Sequence, residues 1–200
     1  MDVAAGEEIF LNYGQKSNSQ LFLTYGFTLE EENDAWHGVL STNINSWPLG
    51  PLLGPTLFSE IYTPDEVGQL SREVSLRSNS FPQFVASLLR AHSLQFSDVT
   101  LEGLSRLKNG QAVSLKNEAK ALRLLMLQCA RELSAYPTTI DEDAELLKQE
   151  NLSDRHRMAV QIRLGEKKAL RGLMGNVNNM WNAVLLTGKL SSDPTLVINA

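Results

Sequence analysis

The run from Ser114 to Tyr136 decides most about the architecture, because Leu115, Ala119, Leu122, Leu125, Met126, Cys129 and Leu133 recur at helical spacing on one broad apolar face. Such a face must be covered, so this helix is expected at the centre of a helical array. Pro137 ends it. The next segment starts a new helix at Thr139, with Glu142 in the capping-box position and Asp141, Glu142 and Asp143 gathered at the positive helix N-terminus. A last long helix is expected from about Ser153 to about Met174, with a break near Gly175 and a continuation over Asn176 to Leu186. It is rich in Arg and Lys where its predecessor is rich in acids. That contrast predicts an antiparallel hairpin with exposed ion pairs along its rims, worth about 0–1 kcal/mol each. The run Arg163 to Arg171 reads as a solvated helix face.

Upstream, Thr63-Pro64-Asp65-Glu66 supplies a cap, a proline at the first helical position and a capping-box glutamate, so the helical reading begins at residue 63. Ser80-Phe81-Pro82-Gln83 opens a second helix carrying Phe84, Leu88, Leu89 and His92. Thr100 to Leu107 forms a shorter helix or turn, followed by a break at Asn109-Gly110. Residues 28–62 hold an acidic loop, Glu30 to Asp34, a short extended piece around Trp36 to Leu40, and the breaker-rich Gly50 to Pro55. The residues after Gly188 form a tail.

With 42% hydrophobic and 20% charged residues, the composition is that of a globular protein, and no apolar run approaches the roughly 20 residues of a membrane span. The net charge of −5 gives no global field for nucleic acid. The single cysteine, Cys129, excludes an internal disulfide and a multi-cysteine zinc site, and its apolar helical setting reads as a buried thiol. His37, His92 and His156 fall in different elements, which argues against a histidine metal or nucleophile site. No metal, membrane or nucleic-acid partner is expected.

The N-terminal stretch has a different texture. Gly6-Glu7-Glu8-Ile9-Phe10-Leu11-Asn12-Tyr13-Gly14 reads as a turn followed by one β-strand, with Ile9, Leu11 and Tyr13 on one side. A polar turn leads into the apolar segment Asn18 to Thr24, and Tyr25-Gly26-Phe27 sets two aromatics around a glycine. Tyr13, Tyr25 and Phe27 therefore converge. A lone strand needs partners for its backbone groups, and the sequence shows no other convincing strand run to supply a sheet. The chain is accordingly expected to be the C-terminal part of a longer protein.

The pattern G-E-E-I-F-x-N-Y-G, a gap, then S-N-x-x-L-x-x-x-Y-G-F resembles the last motif of the SET domain in protein methyltransferases, in the branch that includes the Rubisco large-subunit lysine methyltransferase. Independently, Tyr136 to Asp143 with Leu146-Leu147, Arg155, Arg157, Ala159 and Arg163 to Lys168 resembles the helical substrate-binding domain that follows the SET domain in that branch. The resemblance implies a mainly α fold: a small β-containing SET remnant over 1–27, a connector over 28–62, a helical substrate-binding domain over 63–188 and a tail over 189–200.

It also implies an S-adenosylmethionine-dependent protein-lysine N-methyltransferase acting on a protein substrate. Tyr13 takes the catalytic position, Tyr25 and Phe27 line the lysine channel, and Tyr13 and Phe27 adjoin the cofactor. The chemistry suits aromatics, since a lysine amine must be neutral to attack, and at pH 7 deprotonating it costs roughly 4–5 kcal/mol against a reference pKa of about 10.4. An apolar channel that desolvates the amine lowers that cost, and phenol hydroxyls orient it. The family's glycine-rich cofactor loop and Asn-His motif are not found here, so the 200-residue chain by itself is expected to be inactive. Two further readings stay open: a non-catalytic helical interaction module, and a protein-histidine methyltransferase of the same branch. The compartment stays open among cytoplasm, nucleus and plastid.

Overall fold

A computed structural model describes residues 6–8, 12–14, 16–29, 35–43 and 69–188. Among them the architecture is mainly α with one small sheet, as the sequence led us to expect. In chain order the elements are α1 (Asn18–Tyr25), β1 (Trp36–Asn43), β2 (Gln69–Leu76), α2 (Gln83–His92), a 3-10 turn (Phe96–Asp98), α3 (Leu101–Lys108), α4 (Leu115–Ser134), α5 (Ile140–Leu147) and α6 (Asp154–Thr187).

The helices start where capping chemistry places them. Ser114, Thr100, Thr139 and Ser153 each accept a backbone N–H of the first turn, and Thr139 and Glu142 form the full capping box. Helix α6 is the spine. Its 34 residues give a rod about 50 Å long that packs against α1, both strands, α4 and α5. The break expected near Gly175 does not occur. A Cβ at Gly175 would meet nothing within 4 Å, so this glycine marks neither a turn nor a close approach, and the helix runs on to a left-handed cap at Gly188.

The core lies between α2, α4, α6 and the inner face of β2, built from Val74, Leu76, Phe81, Val85, Leu122, Leu125, Cys129, Leu170, Leu173 and Val177. Cys129 is fully buried within it, and burial pushes its thiol up to about 12, as a structural thiol requires. The central position of the Ser114-capped helix is therefore as expected. Gly172 lets α6 approach the turn after β2, where a Cβ would sit 2.5 Å from that of Ser78, and Asn176 Nδ2 donates to the Ser78 carbonyl at 2.8 Å.

Two expectations need correction. β1 and β2 form an antiparallel pair from Trp36↔Leu76 to Asn43↔Gln69, so strand partners do exist outside the N-terminal stretch. The helical reading from residue 63 also fails over Gln69–Leu76, where apolar Leu70, Val74 and Leu76 alternate with Ser71, Glu73 and Ser75. Spacing of four residues from Leu70 to Val74 fits a helix as well as a strand, and the neighbouring strand decides it. The capping box at Thr63, the loops Glu30 to Asp34 and Gly50 to Pro55, the centre of the expected N-terminal strand from Ile9 to Leu11, and the tail after Gly188 lie outside the described residues.

The hairpin between α5 and α6 forms, but its charges are not at the rims. Asp143 is fully buried and Lys167 is only 2% exposed. Arg163 donates to both Asp143 oxygens, Lys167 pairs with one of them, and the Thr138 hydroxyl donates to the other at 2.9 Å. The Lys167 ammonium also donates to the Thr138 and Thr139 carbonyls, at 2.9 and 2.7 Å. Burial pushes the Asp143 carboxyl up, yet the bonds from Arg163, Lys167 and Thr138 outweigh it and hold the group below the ordinary carboxylate range. The expectation of a solvated Arg163 to Arg171 face thus fails at Arg163 and Lys167, because a carboxylate from α5 reaches under the helix to both.

Candidate active site

The aromatic site is assembled by a short helix whose ends are both fixed. At the N-terminus of α1, Ser17 Oγ accepts the Gln20 N–H at 3.3 Å and the Gln20 side chain accepts the Ser17 N–H at 3.0 Å, a complete capping box. The segment Asn18 to Thr24 is thus a helix, and Ser17-x-x-Gln20 is the sequence signal that identifies it. At the other end Gly26 takes φ 80°, its N–H bonding the Phe22 carbonyl at 2.9 Å, and this left-handed cap reverses the chain so that Phe27 returns beside Tyr25.

Asn18 locks the return. Its amide donates to the Leu29 carbonyl at 3.0 Å and accepts the Leu29 N–H at 2.8 Å, closing α1 onto the segment that follows it. The Thr28 hydroxyl then donates to Gln161 of α6 at 3.0 Å, which ties the aromatic site to the helical spine. Sequence reasoning singled out neither Asn18 nor Thr28 as a positioning residue. On the other side of the site, Asn12 Oδ1 accepts the Gly14 N–H at 2.8 Å, a local turn that holds Tyr13 between them.

The three aromatics named from the sequence come together. The Tyr13 ring lies 4.6 Å from that of Tyr25 at 58°, and 5.5 Å from Phe27 edge-on at 65°, while Tyr25 and Phe27 are 6.3 Å apart. These are attractive tilted geometries, worth about 0.5–1.5 kcal/mol per pair beyond burial. The cluster is nonetheless open, with Tyr13 43% and Tyr25 46% exposed. Neither phenol bonds to another described residue.

Chemically, the cluster offers aromatic faces and phenol hydroxyls. Such faces attract a cation such as a sulfonium or an ammonium and flank an apolar stem, and the hydroxyls accept or donate one hydrogen bond each. S-adenosylmethionine fits these residues at its sulfonium and methyl end. Among the described residues, the site shows no carboxylate to hold the cofactor's ribose.

The remaining polar machinery lies in the helical part. The Tyr136 hydroxyl donates to Glu166 at 2.8 Å, and burial raises the Glu166 carboxyl, with that bond and the nearby His37 working against the rise. Arg90 and Glu118 form a buried bidentate pair at 2.7 and 2.8 Å, and Arg90 also donates to the Gly110 carbonyl at 2.6 Å. That pair joins α2, α4 and the loop before α4. Among the described residues these groups bond to one another and to the Gly110 carbonyl, and they hold the helices together.

Comparison with known proteins gives a consistent set. The family model described as Rubisco LSMT substrate-binding matches residues 64–170. The chloroplastic ribulose-1,5 bisphosphate carboxylase/oxygenase large subunit N-methyltransferase of Nicotiana tabacum is 31% identical over 194 residues, covering 86% of this chain and 35% of that protein. The chloroplastic [fructose-bisphosphate aldolase]-lysine N-methyltransferase of Arabidopsis thaliana is 30% identical, with 84% and 35% covered. Human actin-histidine N-methyltransferase is 29% identical, with 84% and 29% covered. The chain thus spans about a third of the length of these relatives. Among solved structures, Rubisco LSMT bound to AdoMet superposes with a TM-score of 0.69 at 25% identity, over 92% of this chain and 43% of that one. With a family model matching more than half of its length, and relatives and a solved structure that agree with it, the chain belongs to the Rubisco LSMT substrate-binding family.

Proposed function

We propose that this chain supplies the end of a SET domain, over residues 1–27, and the substrate-recognising helical domain, over 63–188, of an S-adenosylmethionine-dependent protein-lysine methyltransferase. The observation that carries the reading is the open three-ring cluster of Tyr13, Tyr25 and Phe27 beside a helical domain of this family. When bound, S-adenosylmethionine supplies an electrophilic methyl group. Tyr13 takes the catalytic position and orients the acceptor amine through its hydroxyl. Tyr25 and Phe27 wall the channel around the lysine stem, excluding water so that the amine loses its proton more readily. Phe27 and Tyr13 also flank the cofactor's sulfonium end. The helical domain holds the protein substrate.

A histidine acceptor is the second reading, favoured by the similarity to actin-histidine N-methyltransferases. An imidazole needs less help to be neutral at pH 7, with a reference pKa of about 6.5. The same aromatic walls serve a flat ring.

The test is a chimera in which this chain replaces the matching segment of the tobacco Rubisco large-subunit methyltransferase. Binding of S-adenosylmethionine by the chimera establishes that it has assembled. Methyl transfer to a lysine-bearing protein is then expected, and Tyr13→Phe is expected to lower kcat by about 100-fold, as loss of an orienting hydrogen bond does. A correctly assembled chimera whose rate is indifferent to Tyr13→Phe refutes the role of Tyr13. Transfer to histidine in place of lysine selects the second reading.

A further inference from the structure

A groove of about 610 Å³ lies away from the aromatic cluster, between α4 and the segment joining α2 to α3. Lys120, Arg123, Leu124 and Leu127 line one wall, and Phe96 and Leu94 the other. The α4 residues are spaced by three and four, so they share one face, opposite the buried Leu122, Leu125 and Cys129. Lys116 precedes this face by one turn and Arg131 follows it by one turn, both exposed. The outer face of α4 therefore carries four cations around two leucines. Its two acids are occupied elsewhere, Glu118 by the buried pair with Arg90 and Glu132 by a bond from Gln128.

Three features distinguish this face from an ordinary solvated helix surface. None of the four cations forms an ion pair among the described residues, although the chain as a whole carries a net charge of −5. Large apolar groups stand exposed between them, Phe96 at 80% and Leu127 at 57%. Ser93, which lines the same groove, has a buried hydroxyl that bonds to no other described residue. Burial pushes the His92 imidazole below its ordinary value, so the positive charge of the groove rests on the lysines and arginines.

We propose that this groove docks an acidic peptide segment of a partner protein, with one or two leucine-like side chains seated between Phe96 and Leu127 and flanking carboxylates on Lys120 and Arg123. The concave, leucine-floored shape favours a peptide over a flat lipid surface. An acidic segment is selected because its carboxylates pair the cations without a like-charge penalty while its apolar side chains fill the groove. The surface is distinct from the aromatic site and does not depend on methyl transfer.

The test is fluorescence anisotropy of the full 200-residue chain with three labelled peptides: one rich in Glu and Asp with two leucines, the same peptide with the leucines replaced by serine, and a lysine-rich counterpart. Vesicles of phosphatidylcholine with phosphatidylserine serve as a fourth arm. Saturable binding of the first peptide is expected, weakening with salt, with the other three arms at least about tenfold weaker. The double variant Lys120→Glu and Arg123→Glu is expected to raise its dissociation constant about tenfold or more, and Leu127→Ser to raise it by a smaller factor. All three positions line the open groove, and unchanged circular dichroism keeps the comparison valid. Absence of saturable binding, equal binding of the lysine-rich peptide, indifference to the charge reversal, or tighter binding to vesicles overturns the proposal.

Discussion

The α5–α6 hairpin and the N-terminal aromatic cluster solve opposite problems. In the hairpin, Asp143, Arg163, Lys167 and Thr138 bury charge and bond it to one another and to the Thr138 and Thr139 carbonyls. Around Tyr13, Tyr25 and Phe27 the backbone is fixed with equal care by Ser17, Asn18 and Gly26, but the rings and hydroxyls are left open. Closed polar groups stabilise and position. Open ones on a fixed frame are available to a ligand.

The contrast breaks first at Asp143. Removing it strands Lys167, which is 2% exposed, together with Arg163, and an uncompensated buried charge costs about 3–5 kcal/mol. Urea denaturation of Asp143→Ala is expected to show a loss of that size. A loss below about 1 kcal/mol would place the network with ordinary surface ion pairs.

The docking of α6 is the next test. Gly172 has room for no Cβ against Ser78, and the obstruction includes the Ser78 Cα at 3.3 Å, which cannot swing aside. Gly172→Ala gains helix propensity, but overpacking is expected to leave it about 1–3 kcal/mol less stable. Gly175→Ala, with nothing near it, is expected to be neutral or slightly stabilising, and thermal melts of the two variants side by side separate the effects.

These cases show what sequence can carry. Caps are local, so Thr100, Ser114, Thr139 and the ends they fix were legible, and so was the apolar stripe of α4. The grouping of Tyr13, Tyr25 and Phe27 was legible through the turn residues between them. Burial of Asp143 was not. An acid in the first turn of a helix has a sufficient local explanation in the helix dipole, and only the partner helix reveals a second one. Strand β2 was missed for the same reason, since what decides it is β1, far away in sequence. The groove on α4 was hidden because Leu124 and Leu127 lie outside the apolar stripe, and only the fold brings Leu94 and Phe96 from another segment opposite them.

A smaller effect concerns pH. Asp143 has a depressed carboxyl, so its contribution is present above the unfolded value of about 3.9 and is lost as pH falls through the folded one. Glu166 has a raised carboxyl, so its contribution is present below about 4.3 and is lost as pH rises through its folded value. The two slopes oppose each other in the acid range. Glu166→Gln keeps an acceptor for the Tyr136 hydroxyl and removes the charge that burial penalises. It is expected to match the parent near pH 4 and to be more stable than the parent at pH 7, measured by urea denaturation across that range. Equal stability at both pH values would mean that the Glu166 carboxylate is not strained by its site.

The smallest effect expected on stability is the most informative about the aromatic cluster. The Tyr13 hydroxyl bonds to no other described residue and its ring is nearly half exposed, so Tyr13→Phe keeps the contacts with Tyr25 and Phe27 and removes only a solvated oxygen. Its stability is expected to stay within about 0.5 kcal/mol of the parent by urea denaturation. A residue built for packing would be indifferent to the same change in every assay. A residue held in place for chemistry combines that thermal indifference with a large loss of methyl transfer in the chimera. A destabilisation above about 1 kcal/mol would instead reveal a structural hydrogen bond made by the hydroxyl, and would move Tyr13 from the open class to the closed one.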